Sequence, residues 1–195
     1  MSVGTAPAQA DRDIHKDARK DVTKIVSVGD GERVESIDTL DTSADITRTV
    51  VTHGPRRVRI AVKLRDLRAA TDALITVYLR TPRVDYMIFL FRGPKGHAVA
   101  SLENPNLEDT RCRGMRASVS LRRDRYVASV PRRCLGRPRW VQAMIQASYL
   151  DYTGDPGSPD FTVNYHVDDA RLDGKVAVAF GPGSRKGYTP RLYRG

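Results

Sequence analysis

The chain has 195 residues, 40% hydrophobic and 29% charged, with a formal charge of +10 from 33 Lys+Arg against 23 Asp+Glu. This composition describes a folded globular chain rather than a disordered one, with length for one domain and a sizeable core. No run of 18 apolar residues exists, which excludes a membrane-spanning helix, and two cysteines exclude a disulfide-dense miniprotein.

The chain opens MSVGTAPAQA. Ala8-Gln9-Ala10 is a small-x-small triplet of the kind that precedes a signal-peptidase cut, although no apolar stretch stands before it. Residues 1–10 are therefore read as the remnant of a secretory signal, with the mature chain beginning near Asp11. A disordered Ala/Pro-rich start is the alternative. Residues 11–20, DRDIHKDARK, read as a flexible charged lead with room for a helical turn.

From there the dominant period is two. Val22–Val28 is a short apolar run. Residues 45–52, DITRTVVT, are rich in β-branched residues and lead into a His53-Gly54-Pro55-Arg56 turn. Val58, Ile60, Val62 and Leu64 then alternate with Arg57, Arg59, Ala61 and Lys63, the pattern of a half-buried strand. These two runs predict a hairpin. Leu74–Leu79 and Tyr86–Phe91 flank a turn at Thr81-Pro82-Arg83. The segment 85–91, DYMIFLF, is apolar on both faces and predicts a central, covered strand. A turn at Gly93–Gly96, a strand at 98–102 and a polar loop at 103–111 follow.

Cys112 and Cys134 enclose two further strand runs, one carrying Met115, Ala117, Val119 and Leu121 and a return over Tyr126–Val130. With the turn centred between Arg123 and Asp124, the mirror position of Cys112 is 135. The cysteines then stand almost opposite each other at the open end of a hairpin, within reach of a disulfide. Two buried free thiols are the alternative. A zinc site is excluded, because no CxxC or HxxxH spacing accompanies the pair. Trp140–Leu150 reads as a strand, 151–160 as a Gly/Pro/Asp loop, and Phe161–Val167 and Val176–Phe180 as strands. Residues 181–195 read as a basic flexible tail. Short strands without βα alternation predict an all-β fold. The expectation is a single antiparallel β-sandwich, jelly-roll or immunoglobulin-like, of about eight to ten strands over residues 21–180.

Residues 44–67, ADITRTVVTHGPRRVRIAVKLRDL, resemble the opening of small secreted actinobacterial proteins of unknown function. PRRCLGRPRWV at 131–141 and DDARLDG at 168–174 add to that resemblance. More distantly, the first segment resembles the first hairpin of DOMON and family-9-type carbohydrate-binding sandwiches. Heme-binding DOMON members use a Met/His ligand pair, and no such pair can be placed here. The resemblance implies a sandwich and no catalytic motif, and a fold alone does not imply a function.

Charge is polarised along the chain. Residues 111–139 hold ten Arg and one acid, Asp124, for a net +9. Residues 54–68 are net +5, whereas 29–45 and 151–173 are each net −5. Arg57, Arg59 and Lys63 on one hairpin and Arg116 and Arg122 on the other occupy outward positions. If the hairpins share a sheet, they form a cationic face suited to phosphate, sulfate or carboxylate. A solvated arginine-rich surface is the plainer alternative. Nucleic acid is disfavoured as a partner, because no recognition helix, zinc finger or RNP motif appears. Tyr149, Tyr152 and Tyr165 with Asp151 and Asp155 form an alternative cleft for a neutral sugar. Asp38, Asp41 and Asp45, or Asp155, Asp160, Asp168 and Asp169, offer oxygen ligands for calcium. No other cofactor is suggested, and solvated loops explain the same acids.

Catalytic patterns are absent: no GxSxG, HExxH or P-loop occurs, and GPGSRKG at 181–187 has the wrong spacing. His15, His53 and His97 fall in predicted tails or turns. His166 is the one histidine near an acid in a strand, and no nucleophile pairs with it. The expectation is a secreted, monomeric binding protein for a cell-envelope or extracellular polyanionic glycan. A neutral-carbohydrate module stands second, and a small hydrolase third.

Overall fold

The computed structural model describes residues 10–28, 32–67, 73–155, 158, 161–172 and 186–195. Thirteen strands lie among them. They are β1 (Asp11–Lys16), β2 (Thr23–Val28), β3 (Glu32–Ile37), β4 (Ile46–His53), β5 (Arg57–Leu64), β6 (Leu74–Arg80) and β7 (Tyr86–Arg92). Then follow β8 (Ala98–Glu103), β9 (Arg116–Ser120), β10 (Arg125–Pro131), β11 (Trp140–Thr153), β12 (Thr162–Asp169) and β13 (Leu192–Tyr193). Sheet A has the order β1-β4-β5-β10-β9. Sheet B runs β3-β2-β12-β11-β6-β7-β8, with β13 added to the start of β11. Neighbouring strands are antiparallel throughout, and the two sheets pack as the predicted β-sandwich.

The period-two pattern explains the packing. Ile60, Val62 and Leu64 of β5 and Tyr126, Ala128 and Val130 of β10 point into the space between the sheets. Ile75, Val77 and Leu79 of β6, Ile88 and Leu90 of β7 and Val141, Ala143 and Ile145 of β11 meet them there. Each buried Val, Leu or Ile among them contributes about 1.5–3 kcal/mol by leaving water. The Tyr126 ring is fully buried, and its hydroxyl donates to the Ala73 carbonyl at 3.4 Å.

More strands form than the eight to ten expected, because segments read as loose are paired. The charged lead is not loose over its first half: Asp11–Lys16 pairs along β4 as the edge of sheet A. The end of the tail is likewise ordered. Leu192 is buried in the core and Trp140 pairs with Tyr193. The acidic stretch at 32–37 extends sheet B beyond β2. Residues 1–9, with Ala8 and Gln9 of the triplet, Asp160, and the strand expected at 176–180 lie outside the described residues.

Cys112 and Cys134 form a disulfide with their Cα atoms 5.5 Å apart. The hairpin inside it turns through a 3-10 segment, Leu121–Arg123, closed by Asp124 in left-handed conformation. Ser120 faces Arg125, so the hairpin is centred one residue earlier than expected, between Arg122 and Arg123. Cys112 then mirrors Arg133 rather than position 135. β10 leaves the ladder at Pro131, and the 3-10 turn at Arg132–Leu135 brings Cys134 back to its partner. Closing a loop of this separation contributes about 2–4 kcal/mol. Replacing both cysteines by Ser should lower the unfolding free energy by about 3 kcal/mol in chemical denaturation, with the far-UV spectrum unchanged.

His53, expected in a turn, is fully buried at the end of β4, with Nδ1 at 2.8 Å from the Leu192 carbonyl. That bond needs the proton on Nδ1. Nε2 is buried without a partner. Burial holds its pKa below the ordinary 6.5 against the raising effect of the Leu192 bond, and Arg132 adds to the depression. The unfolded chain therefore takes up a proton near pH 6.5 while the folded chain does not. The stability due to neutral His53 is present above that pH and declines as pH falls below it. Against His53→Asn, the wild type should lose melting temperature between pH 7 and 5, and the two curves should run parallel above pH 7.

Candidate functional site

The outward positions of sheet A form rows across all five strands. One row reads Lys16, Arg48, Lys63, Arg125 and Ser120 from β1 to β9. A second reads Arg12, Thr52, Arg59, Ser129 and Arg116. Between them lies an apolar row of Ile14, Val50, Ala61, Val127 and Ser118. The cationic rows are four residues apart along β5, about 13 Å. Neighbouring cations of the first row stand about 5 Å apart at the backbone, whereas those of the second alternate with Thr52 and Ser129 at about 10 Å. With Arg57, the face carries eight cations. None of the outward positions on these five strands is an acid.

The acids of the region are engaged elsewhere. β1 alternates Asp-Arg-Asp-Ile-His-Lys, which turns Asp11 and Asp13 to the other side from Arg12, Ile14 and Lys16. Asp11 accepts the Tyr193 N–H at 2.6 Å, and Asp13 pairs with Arg171. Asp124 accepts the Leu67 N–H at 3.0 Å. Among the described residues, no ion pair involves an outward cation of the face.

The hairpins do share a sheet, so Arg59, Lys63 and Arg116 stand on one face as expected, and Arg122 lies in the turn at its end. Arg57 behaves differently. Its Nε donates to Ser129 Oγ at 2.6 Å, and its Nη2 donates to the Gly114 and Ser129 carbonyls at 2.8 and 2.6 Å. It clamps β5 to β10 and to the connection before β9. Its pKa is lowered by burial and then by Arg116 and Arg133, a mark of crowded positive charge. Arg12, Lys16, Arg48 and Arg125 were not among the expected site residues. The signal for Arg48 was the alternation in ITRTVV. For Arg12 and Lys16 it was the alternation hidden in a stretch dense with charge.

The alternative sugar cleft is divided. Tyr149 and Asp151 share one side of sheet B with His166 and Asn164. Tyr152 shares the other with Tyr165, Leu150 and Val163. Asp155 is exposed beyond the β11 end. Tyr152 stacks on Phe161 at 5.9 Å. Tyr149 stacks on His166 at 4.4 Å, and burial, followed by the charge of Asp41, raises its pKa.

Asp38, Asp41 and Asp45 of the first acidic segment come up to the end of β12 that carries His166 and Asp168. His166 Nδ1 lies 3.1 Å from Asp41 and 3.6 Å from Asp38. Burial opposes the Asp41 charge, but His166 beside it and the hydrogen bonds from the Ser43 and Ala44 N–H groups hold its pKa below the usual value. Arg65 pairs with Asp45 at 2.9 Å and donates to the Asp41 carbonyl. Asp45 and Asp168, expected in two separate ligand sets, stand together with Asp21. Asp169 faces the opposite side of β12, beside Gln146. Burial pushes the Asp168 carboxyl up to about 9. The Ile46 N–H bond works against this, and Asp17, Asp21 and Asp45 add to it.

Trp140 is half-buried under the Arg191 guanidinium, 4.7 Å from its ring centre. A separate hollow of about 450 Å³ between the β6–β7 turn and residues 135–139 is floored by Tyr86 and Leu135 and rimmed by Arg83, Arg137 and Arg139.

No family model matches the chain, and no curated protein or solved structure shows significant similarity to it.

Like charges directly opposite on a sheet repel. Lys63→Glu places an acid between Arg48 and Arg125. It should raise stability by about 1 kcal/mol at low ionic strength, with the gain fading in 1 M salt, in denaturation curves of variant and wild type.

Proposed function

We propose that this protein is an extracellular binding module for a polyanionic polymer, a cell-envelope or extracellular acidic glycan, held on the outer face of sheet A. The observation that carries this reading is the row Lys16–Arg48–Lys63–Arg125. It sets four cations on adjacent strands with no acid among them. Such a row costs the apo fold repulsion on every neighbouring pair. A ligand with regularly spaced anionic groups relieves that repulsion and releases its own counterions. About 13 Å away the second row adds Arg12, Arg59 and Arg116 on alternate strands. The strip of Ile14, Val50 and Ala61 between them offers contact to the carbon skeleton of the polymer, and Ile14 is half exposed.

The disulfide fits an oxidising compartment. No helix among the described residues is long and apolar enough to cross a membrane. A broad sheet face also favours a flexible, extended chain over duplex DNA, whose major groove takes a helix or a two-stranded ribbon. The neutral-sugar cleft receives less support, since its tyrosines lie on both sides of sheet B.

The test is retention on immobilised dextran sulfate against neutral dextran, at low and high salt. Wild type should bind dextran sulfate alone, with affinity falling at least tenfold between 50 and 200 mM salt as expected on the order of several released counterions. Arg48→Ser combined with Lys63→Ser and Arg59→Ser should abolish retention while leaving the melting temperature unchanged or raised. Arg57 is left intact because its loss would unclamp β10. Retention indifferent to salt, or surviving the triple substitution, would falsify the cationic-face reading.

A further inference from the structure

Three carboxylates from distant segments converge where the start of β4 meets β12. Asp21 lies in the β1–β2 connection, Asp45 immediately precedes β4, and Asp168 points inward from β12. One oxygen from each lies within 4.8 Å of the other two. Asp45 and Asp168 are fully buried. Each already commits one oxygen to the fold. Asp45 Oδ2 accepts the Lys20 N–H at 2.8 Å and pairs with Arg65, and Asp168 Oδ2 accepts the Ile46 N–H at 2.6 Å. The remaining oxygen of each, Oδ1, is buried without a hydrogen-bond partner. Asp17 contributes a fourth carboxylate close enough for its charge to act on Asp168, and its side chain is buried too.

Dry, partnerless carboxylate oxygens are costly, and they persist in folded proteins when a counter-charge faces them. Arg65 pairs with Asp45 on the oxygen already in use. We propose that Asp21, Asp45 and Asp168 bind a divalent cation of the calcium class that ties the β1–β2 connection and the start of β4 to β12. The donor set is oxygen alone, which selects a hard cation over zinc or copper. Calcium accepts irregular sets of carboxylate oxygens, whereas magnesium demands near-ideal octahedral geometry and keeps several of its waters, which a buried carboxylate cluster does not favour. The ion spans both sheets, because β4 belongs to sheet A and β12 to sheet B. This site is separate from the polyanion face and does not depend on it.

The experiment is thermal unfolding of the full chain after chelation, with calcium chloride or magnesium chloride added back, alongside native mass spectrometry. Wild type should take up one calcium per chain. Its melting temperature should rise by about 5–10 °C at a calcium concentration ~100 times the dissociation constant. Asp168→Asn keeps the size of the side chain and the Ile46 bond but removes a carboxylate able to ligate the ion. It should melt at or above the chelated wild type, and its response to calcium should be lost. An unchanged wild-type melting temperature in calcium, or a full calcium response in Asp168→Asn, overturns the proposal. An equal response to magnesium at the same concentration overturns the calcium assignment.

Discussion

Each sheet must bury one face against the other, and that requirement decides where every other kind of residue can go. On the paired strands apolar residues claim the inward positions, as Ile60, Val62 and Leu64 do on β5. Cations are then left with the outward positions of sheet A, where Arg59 and Lys63 alternate with them. Backbone pairing does the rest. It aligns the outward residues of five strands into rows, so a charge pattern scattered over residues 12–125 becomes a two-dimensional array. The array exists because the core exists, and a register slip of one residue on any strand would turn its cations inward.

The acidic segments obey the same logic with the opposite result. Asp38, Asp41 and Asp45 lie in the connection between β3 and β4, beside the end of β12 that carries Asp168. Asp38 and Asp41 order their own loop through bonds to the N–H groups of Leu40, Asp41, Ser43 and Ala44. Asp45 and Asp168 are carried inward by the strands beside them. Separation of charge along the sequence has thus become separation in space, with a cationic sheet face and a carboxylate-rich end.

Much of the fold was legible because alternation is a strong local signal. The β4–β5 hairpin, its Gly-Pro turn and the long β11 follow directly from period and turn residues. β1, β3 and β13 were not legible, for a shared reason. Strands dense in charge, or only two residues long, carry no apolar period, and they form because a neighbouring ladder offers hydrogen bonds. The cysteine pairing came out correctly although the turn centre was displaced by one residue, since both centres leave Cys134 one position from the mirror of Cys112. Arg59, Lys63 and Arg116 were legible as one face once the hairpins were taken to share a sheet. Arg57 was not separable from them, because its bonds to Ser129 and Gly114 depend on β10 and β9 lying alongside. Asp21, Asp45 and Asp168 lie far apart in sequence, and their meeting depends on which strands are neighbours, information that no spacing holds.

The last strand also joins the two ends of the described chain. β13 pairs with β11 of sheet B, while the Tyr193 N–H reaches Asp11 of β1 and the Leu192 carbonyl reaches His53 of sheet A. An edge strand near the start of the sequence is therefore completed by residues near its end. Non-local closure of this kind is slow and late. During synthesis the amino-terminal half emerges with β1 lacking its β13 contacts and His53 lacking its cover. The cover over His53 and the β13 contact of β1 therefore form only after residues 192–193 have been synthesised.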